Sequence, residues 1–295
     1  MTTTCHTTDL LRLAIGHPIT KRGKAIFPVF RPGSTMPPLG LSRPGEGFII
    51  REKATPTVPI LEVENTDPDP VVLFAGETLE GGRQQRVLNQ SVIIPGRSVS
   101  DIPVSCVEQG RWHGDSTFRG VGEMAPAEVR RPAHHRDQSA VWGEVNQMLS
   151  AYRLASDTDA LDSVFVGRRS ARDAAMVDEV ASWGPLPEQV GIVVMSEGRV
   201  VSADVFGDPA LLESMWGTLV RSAFTSAVGT DRTSRNRADR ALGILRRLGR
   251  ELRGPLGASD VGVGQWRQVI TDRVTGQALA LDGRLVHVSG FPTDR

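Results

Sequence analysis

The sequence predicts an α+β protein. A β-rich N-terminal half, an antiparallel sandwich or jelly-roll-like unit, is followed by a half with long helices and a C-terminal antiparallel meander. Three observations carry this. Glycine and proline, 31 and 19 in the chain, concentrate in the first 130 residues and break that half into short strands and turns. From Gln138 onward, apolar residues recur at helical spacing. From Trp266 to Ser289 the chain returns to short apolar runs separated by turn residues.

The elements follow in order. Residues 1–24 read as a tail or short helix, 25–130 as the β-rich unit, and 131–295 as an α+β unit packed against it. Ala25–Phe30 is a short apolar strand, and Met36–Gly47 is a loop. Val58–Glu64 alternates apolar and polar positions as a half-buried strand does. Asn65–Pro70 is turn chemistry, because Asn and Asp bond their own backbone and Pro presets φ. Val71–Ala75, Val87–Ile94 and Val99–Val107 follow as strands, spaced closely enough to require antiparallel pairing. Gln138–Leu154 carries Val141, Trp142, Val145, Met148, Leu149 and Tyr152 at helical spacing. Ala171–Trp183 is a second helix, stopped by Pro185 and Pro187. Val190–Met195 and Arg199–Phe206 form a hairpin around Ser196-Glu197-Gly198. Asp208 then caps a helix with Pro209 at its first position. That helix buries Leu212, Met215, Trp216, Leu219, Ala223 and Phe224 and stops near Gly229. Thr233–Arg253 is a further helix, rich in arginine. Trp266–Thr271, Gln277–Leu281 and Leu285–Ser289 close the chain, turning at Asp282-Gly283.

Composition limits the function classes. The 295 residues suffice for one large domain or two ordinary ones. Lys+Arg and Asp+Glu are balanced at 34 each, which gives no charge argument for nucleic acid or an anionic membrane. No apolar run approaches the roughly 20 residues of a membrane helix, and the Thr-rich start lacks a secretory pattern. Two cysteines, Cys5 and Cys106, make a disulfide framework improbable. The expectation is a cytoplasmic protein with no membrane partner and no nucleic-acid partner, its oligomeric state open.

The most unusual stretch is Phe74–Trp112, FAGETLEGGRQQRVLNQSVIIPGRSVSDIPVSCVEQGRW. It mixes strand patterning with Glu77, Glu80, Gln85, Arg86, Asn89, Ser91, Cys106, Glu108 and Gln109, where a plain sandwich would alternate core and solvent more cleanly. Three runs in it carry a specific resemblance: GE-x-L-x-G from Gly76 to Gly81, Q-x-R-x-L-N ending at Asn89, and IPVSCVEQGRW from Ile102 to Trp112. Weaker likeness continues through Gln138–Trp142, VGIVV-x5-VVSADVF from Val190 to Phe206, and LVHVSGF from Leu285 to Phe291. In these runs the chain resembles the ARG and rhodanese-phosphatase-superfamily-associated protein domain, over most of its length. That family is known chiefly by sequence and domain association. Its name implies a neighbourhood of ADP-ribose and phosphate-ester processing and supplies no mechanism.

Each candidate residue has a structural reading beside its functional one. Glu77, Glu108 and Cys106 are the candidate catalytic groups. Glu77 and Glu80, at a strand end before Gly81-Gly82, fit acid–base work or a divalent metal, and equally a solvated turn. Glu77 abuts Gly76, where backbone can approach a ligand closely. Glu108 aims a carboxylate inward with Arg86 as its expected partner, either in a site or in a structural pair. Cys106 is a nucleophile only with a base nearby, and otherwise a small buried hydrophobe. Gln85, Arg86 and Asn89 suit a phosphate or ribose, or hydrogen bonding at a sheet edge. Trp112 could cover a base or sugar, and Asp204 and His287 enter the same site if the meander packs against the β-rich half. His113, His134, His135 and His287 lack the spacing of a zinc site, so no metal ligands are assigned. The run from Gly76 lacks the Gly-Lys-Ser/Thr of a phosphate loop. No GxGxxG joins a strand to a helix, so a bound NAD cofactor is not inferred, while a divalent metal stays possible. The arginines of Thr233–Arg253 fit RNA, an acidic partner or a solvated face. The combined expectation is a pocket for a phosphorylated, nucleotide-like or ADP-ribose-derived small molecule. A non-catalytic binding or adaptor module is the alternative, with RNA binding through the 233–253 helix as a weaker one. Whether the protein is an enzyme stays open at this point.

Overall fold

The pairing of Lys24–Phe30 with Gln189–Ser196 ties a strand near the start of the chain into the sheet of its C-terminal half. A computed structural model of the protein describes residues 7–33, 37–167, 171–225 and 237–293. Its largest sheet has nine strands. They run in the order Ala14–Ile15, Lys24–Phe30, Gln189–Ser196, Arg199–Phe206, Arg284–Pro292, Val274–Leu281, Gln265–Ile270 and Gly257–Ala258, with Ile19–Lys21 also pairing Lys24–Phe30. Every ladder between these strands is antiparallel. The hairpins that build it turn at Glu197-Gly198 and Asp282-Gly283, each with two successive positive φ values, the geometry that matches strand twist.

Both faces of this sheet are covered. The helix Ala238–Glu251 lays Ala241, Ile244, Leu245 and Leu248 on Val193, Ala203, Val205 and Val288. The helices Ala171–Ser182 and Pro209–Thr225 cover the other face, where Leu212, Met215 and Trp216 meet Ile192 and Phe206. Asp208 caps the second of these, its Oδ1 accepting from the Leu211 amide at 3.0 Å, as its sequence predicts. Each fully buried Leu, Ile, Val or Phe contributes about 1.5–3 kcal/mol, so both layers add substantially to the fold's stability.

The N-terminal half builds a six-stranded antiparallel sheet in the order Phe118–Met124, Glu77–Gly81, Arg86–Leu88, Ser98–Cys106, Ile60–Asn65 and Phe48–Arg51. A two-stranded ribbon pairs Val71–Leu73 with Val92–Ile94. Helices Ala127–His134, Gln138–Tyr152 and Asp162–Gly167 close the remaining side, packing Val129, Val141, Val145 and Leu149 on Val87 and Val107.

The α+β class, the strand-dominated N-terminal half and the C-terminal meander are therefore as the sequence predicts. Two local expectations change. Val87–Ile94 is not one strand: it splits into Arg86–Leu88 and Val92–Ile94, which pair in different sheets. Glu77–Gly81 is a strand rather than a turn, because it finds partners on both sides, Phe118–Met124 and Arg86–Leu88. Gly229 and residues 233–236 lie outside the described residues. Among the described residues, no helix is long and apolar enough to cross a membrane.

Candidate functional site

The split at Asn89-Gln90-Ser91 organises the polar residues. Where a strand leaves one sheet for another, its backbone loses ladder partners and must find others. Side chains from the C-terminal meander supply them. Gln277 donates from Nε2 to the Asn89 carbonyl (3.0 Å), while its Oε1 accepts from the Ser91 amide (3.2 Å) and from the Trp266 indole (3.1 Å). Asn89 accepts a further bond at Oδ1 from Ser105 (2.9 Å), and its own amide donates to Pro103 (3.0 Å). The polar block and the meander thus meet, with Ser91 Oγ 2.8 Å from His287 Nδ1.

Beneath this seam lies a buried ionic junction. Arg130, from the helix Ala127–His134, holds the Asp204 carboxylate with both terminal nitrogens, Nη1 at 3.1 Å from Oδ2 and Nη2 on Oδ1. His287 Nε2 lies 3.5 Å from the same carboxylate. Burial acts to raise the Asp204 pKa, but Arg130 and His287 outweigh it and hold the group ionised, well below the usual carboxylate range. Burial pushes His287 the other way, downward, against the pull of Asp204, so the ring is neutral. His134, bonded to Ser289 at 3.3 Å, is driven well below its ordinary value, chiefly by burial. Gly76 makes the approach possible: at φ 94° a Cβ there would stand 2.5 Å from Arg130 Nε. The close approach expected of backbone to a ligand at Gly76 is thus taken by a guanidinium.

Ser91, His287 and Asp204 follow one another as in a hydrolase triad, but they cannot act as one here. All three are exposed by 1% or less, so no substrate reaches the hydroxyl. Ser91 Oγ also accepts from the Ala75 amide at 3.0 Å, and Asp204 is committed to Arg130.

A second cluster gathers Cys106, Glu108, Gln85, Arg86 and Trp112. Glu108 does not pair with Arg86 as expected. It takes Arg111 in a fork (2.8 and 2.6 Å), the Gln85 amide (3.0 Å) and Thr158 (2.9 Å). Burial acts to raise its pKa, and these bonds overcome it to a net lowering. Arg86 extends instead toward the Gln84 carbonyl (2.9 Å) and Glu52 (3.5 Å), fully buried, with the Trp112 ring 5.7 Å away. The sequence neighbour three residues on wins because i,i+3 proximity needs no long-range ordering. Cys106 is buried, and burial raises its thiol pKa, contrary to what a nucleophile needs. Glu77 is also interior: Arg43 pairs with one oxygen, and the other accepts the Phe74 amide at 2.6 Å. Among the described residues, no group of three or more His, Cys, Asp or Glu is placed to hold a metal ion.

One open space lies on the outer side of the seam. A cleft of about 530 Å³ runs between Ser98–Cys106, the first turns of Gln138–Tyr152, and residues 58–60 and 260–261. Its walls are apolar, from Pro59, Ile60, Ile102, Val104 and Val261, and Trp142 forms one side. Polar groups converge on it: Asn89, Ser105, Gln138, Arg136 and Asp260. Arg136 sits in the left-handed region (φ 55°) between two helices, donating to Gln90 Oε1 at 2.7 Å and lying 3.5 Å from Asp260. Gln90 also donates to Asp260 at 2.9 Å, so one amide orients both rim charges. Gln138 brackets the Cys106 backbone, accepting from its amide (2.7 Å) and donating to its carbonyl (2.8 Å).

Residues 12–291 match the family model of the ARG and rhodanese-phosphatase-superfamily-associated protein domain, ARPP-1. The chain belongs to this family. No curated protein and no solved structure gives a significant match. Of the candidate residues, this ARPP-1 domain places Asn89 on the cleft, Asp204 and His287 in the ionic junction, and Gln85, Arg86, Cys106, Glu108 and Trp112 in the second cluster. Sequence reasoning missed Arg130, Arg136, Asp260 and Gln277. Arg136 alone carried a signal, immediately preceding Asp137, the cap of the helix Gln138–Tyr152.

Proposed function

We propose that the cleft floored by Asn89 and Ser105 binds a phosphorylated, nucleotide-like small molecule. The observation that carries this is convergence: an apolar cleft of about 530 Å³ lined by an arginine, two carboxylates and an indole. That volume lies within the roughly 300–1,000 Å³ of small-molecule sites. A guanidinium fork suits phosphate oxygens, Asp260 suits the hydroxyls of a ribose, and Trp142 offers a face to a base. The family's name, with its association to phosphatase-superfamily proteins, makes phosphate esters and ADP-ribose derivatives the first compounds to try.

Binding, rather than nucleophilic catalysis, is the reading favoured. Among the described residues that line the cleft there is no His, Cys or Lys, and the acids are Asp101 and Asp260. Asp101 is paired with Lys53 at 2.5 Å. The test is a thermal-shift and calorimetric series with ADP-ribose, nucleoside phosphates and NAD, with and without divalent metals. A ligand at about 100 times its Kd stabilises the folded state by about 2.7 kcal/mol, which for a chain of this size raises Tm by about 4 °C. The rise should belong to one ligand class and disappear in Arg136→Gln and Trp142→Ala. No shift with any compound, or a shift untouched by both substitutions, defeats the proposal.

A further inference from the structure

We infer that the protein docks an extended, acidic peptide segment of a partner protein in the gap where the six-stranded sheet stops short of closing on itself. The outermost strands of that sheet are Phe48–Arg51 and Phe118–Met124. They meet at one end, where Thr117 bridges Arg51 in the antiparallel sense and the Glu52 amide donates to the Ser116 carbonyl at 2.7 Å. Among the described residues, no ladder joins the two strands beyond that point. A cleft of about 410 Å³ opens there instead. Phe48 and Ile50 line one side of it, residues 119–122 another, and Met215 of the helix Pro209–Thr225 a third. It shares no lining residue with the cleft of the proposed function.

The side formed by residues 119–122 is a strand edge. Its ladder partner is Glu77–Gly81, on one side only. A strand paired on one side turns alternate amides and carbonyls outward, a ready template for another chain. Among the described residues, no group outside that ladder bonds the backbone of Gly120, Val121 or Gly122. An added Cβ at Gly120 would meet nothing within 4 Å, so the backbone there is bare. The edge is also recessed, flanked by the strand Phe48–Arg51 and by the helix Pro209–Thr225. Such a recess admits a single extended chain and keeps out the broad edge of a second sheet, which selects a peptide over a second copy of this protein.

Charge selects the kind of peptide. The charged residues described in the lining are Arg43, Glu77 and Arg119. Arg43 is committed to Glu77 and to the Val72 carbonyl (2.6 Å), so that pair is neutral. Arg119 is exposed and has no hydrogen bond or ion pair among the described residues. One cation is therefore left to meet a carboxylate. Phe48, Ile50, Val121 and Met215 offer apolar contacts beside it. Residues 119–122 extend over about 13 Å, the reach of about four residues of an added strand. Main-chain bonds to the edge supply affinity in this mode of recognition, and the side chains around it supply specificity.

The test uses the full chain and a synthetic probe, an acetylated and amidated hexapeptide with two glutamates between two pairs of valines. Each face of this strand carries both an acid and apolar side chains. Calorimetry should detect its binding, and hydrogen exchange should slow at the amides of residues 119–122. Lysine in place of both glutamates should weaken binding about tenfold, since like charges then meet. The same peptide with its backbone nitrogens methylated keeps every side chain, loses its main-chain donors, and should not bind. Arg119→Gln should raise Kd about fivefold, the upper range for an exposed ion pair. Ser214→Trp fills the cleft from an exposed helix position and should abolish binding. Its Tm is measured alongside, and Arg119→Gln carries the test if it is unstable. Arg136→Gln, in the other cleft, should leave peptide binding unchanged, which separates this inference from the function proposed above. Absence of binding to the wild type at millimolar peptide overturns the inference. So does equal binding of the lysine peptide, or binding indifferent to Arg119→Gln and Ser214→Trp. Equal binding of the methylated peptide also overturns it, because the site would then read an acid and not a strand.

Discussion

Replacing Arg130 with methionine is the most informative single perturbation of this fold. Arg130 and Asp204 are exposed by 1% and 0%, so bulk solvent does not screen their charges. An ion pair in such a place need not add much net stability, because desolvating both charges offsets most of their attraction. Breaking it is another matter. Arg130→Met leaves Asp204 buried, with a neutral His287 3.5 Å away as its remaining polar neighbour. The cost of such an uncompensated charge is about 3–5 kcal/mol, a large part of the roughly 5–15 kcal/mol that holds a typical domain together. With an unfolding entropy of about 2.1 cal/mol/K per residue, the 295-residue chain should lose about 5–8 °C in Tm.

The pH dependence checks the mechanism. In the wild type, Arg130 and His287 overcome burial and keep Asp204 ionised. Without Arg130, burial is left to raise its pKa, and protonation relieves the variant. The difference between variant and wild type, measured by urea denaturation, should therefore shrink as pH falls from 7 to 4. The double variant Arg130→Met/Asp204→Leu should recover most of the loss, since two apolar groups leave no orphan charge. A single-variant cost below about 1 kcal/mol, the range of exposed pairs, would refute the reasoning. So would a cost independent of pH.

Two further outcomes follow from the same interior. His134 and His287 are both held below their ordinary pKa, first by burial. The unfolded chain therefore takes up protons below pH about 6.5 that the folded chain refuses, so stability should decline on acidification from that point. The slope is at most about 1.4 kcal/mol per pH unit for each histidine. Asp204, lowered instead, adds its own loss only below about pH 4. Urea midpoints between pH 5 and 8 that are flat would contradict this, and His287→Asn should reduce the slope. Gln277→Leu removes the partner of the Asn89 carbonyl, the Ser91 amide and the Trp266 indole. At about 1–3 kcal/mol for each buried group left unsatisfied, partly relieved by relaxation, the loss should be about 3–5 kcal/mol in denaturant titration. A loss no larger than that of an ordinary surface substitution would show that the seam is held by packing alone.

Much of the fold was legible because its cues are local. The hairpin at Glu197-Gly198, the Asp208 cap and the terminal meander each rest on residues within one turn or strand. The helix Ala127–His134 was not legible. It contains Pro132, and its buried side includes Arg130 and His134, so no apolar stripe marks it. The split of Val87–Ile94 was hidden for a related reason. Val87, Leu88, Val92, Ile93 and Ile94 are all buried, and a run buried on both faces has no alternation to betray a change of sheet. The Glu108 partner was misjudged because Arg86 was taken as the available cation, when Arg111, three residues away, was nearer in chain and space.

The density of polar residues from Glu77 to Trp112 has a structural cause that bears on how such blocks are read. A strand that changes sheets exposes amides and carbonyls that no ladder can satisfy, and each must be met by a side chain. Gln277 does this for Asn89 and Ser91, and Gln138 for Cys106. Glu77 does it for Phe74, and Glu108 for Gln85. A sequence cannot distinguish a side chain that completes a backbone bond from one that waits for a ligand, since the same residue types serve both. What separates them is solvent. At the buried end of the seam, Ser91 meets His287 and the block is closed upon itself. At its outer end Asn89 lines an open cleft, and Gln90 turns its amide to Arg136 and Asp260 on the rim. Three consecutive residues thus span the distance from core to cleft. Any ligand that draws Arg136 or Asp260 toward itself must work against the Gln90 amide. Through that strand segment it also works against the bonds that Gln277 makes to Asn89 and Ser91.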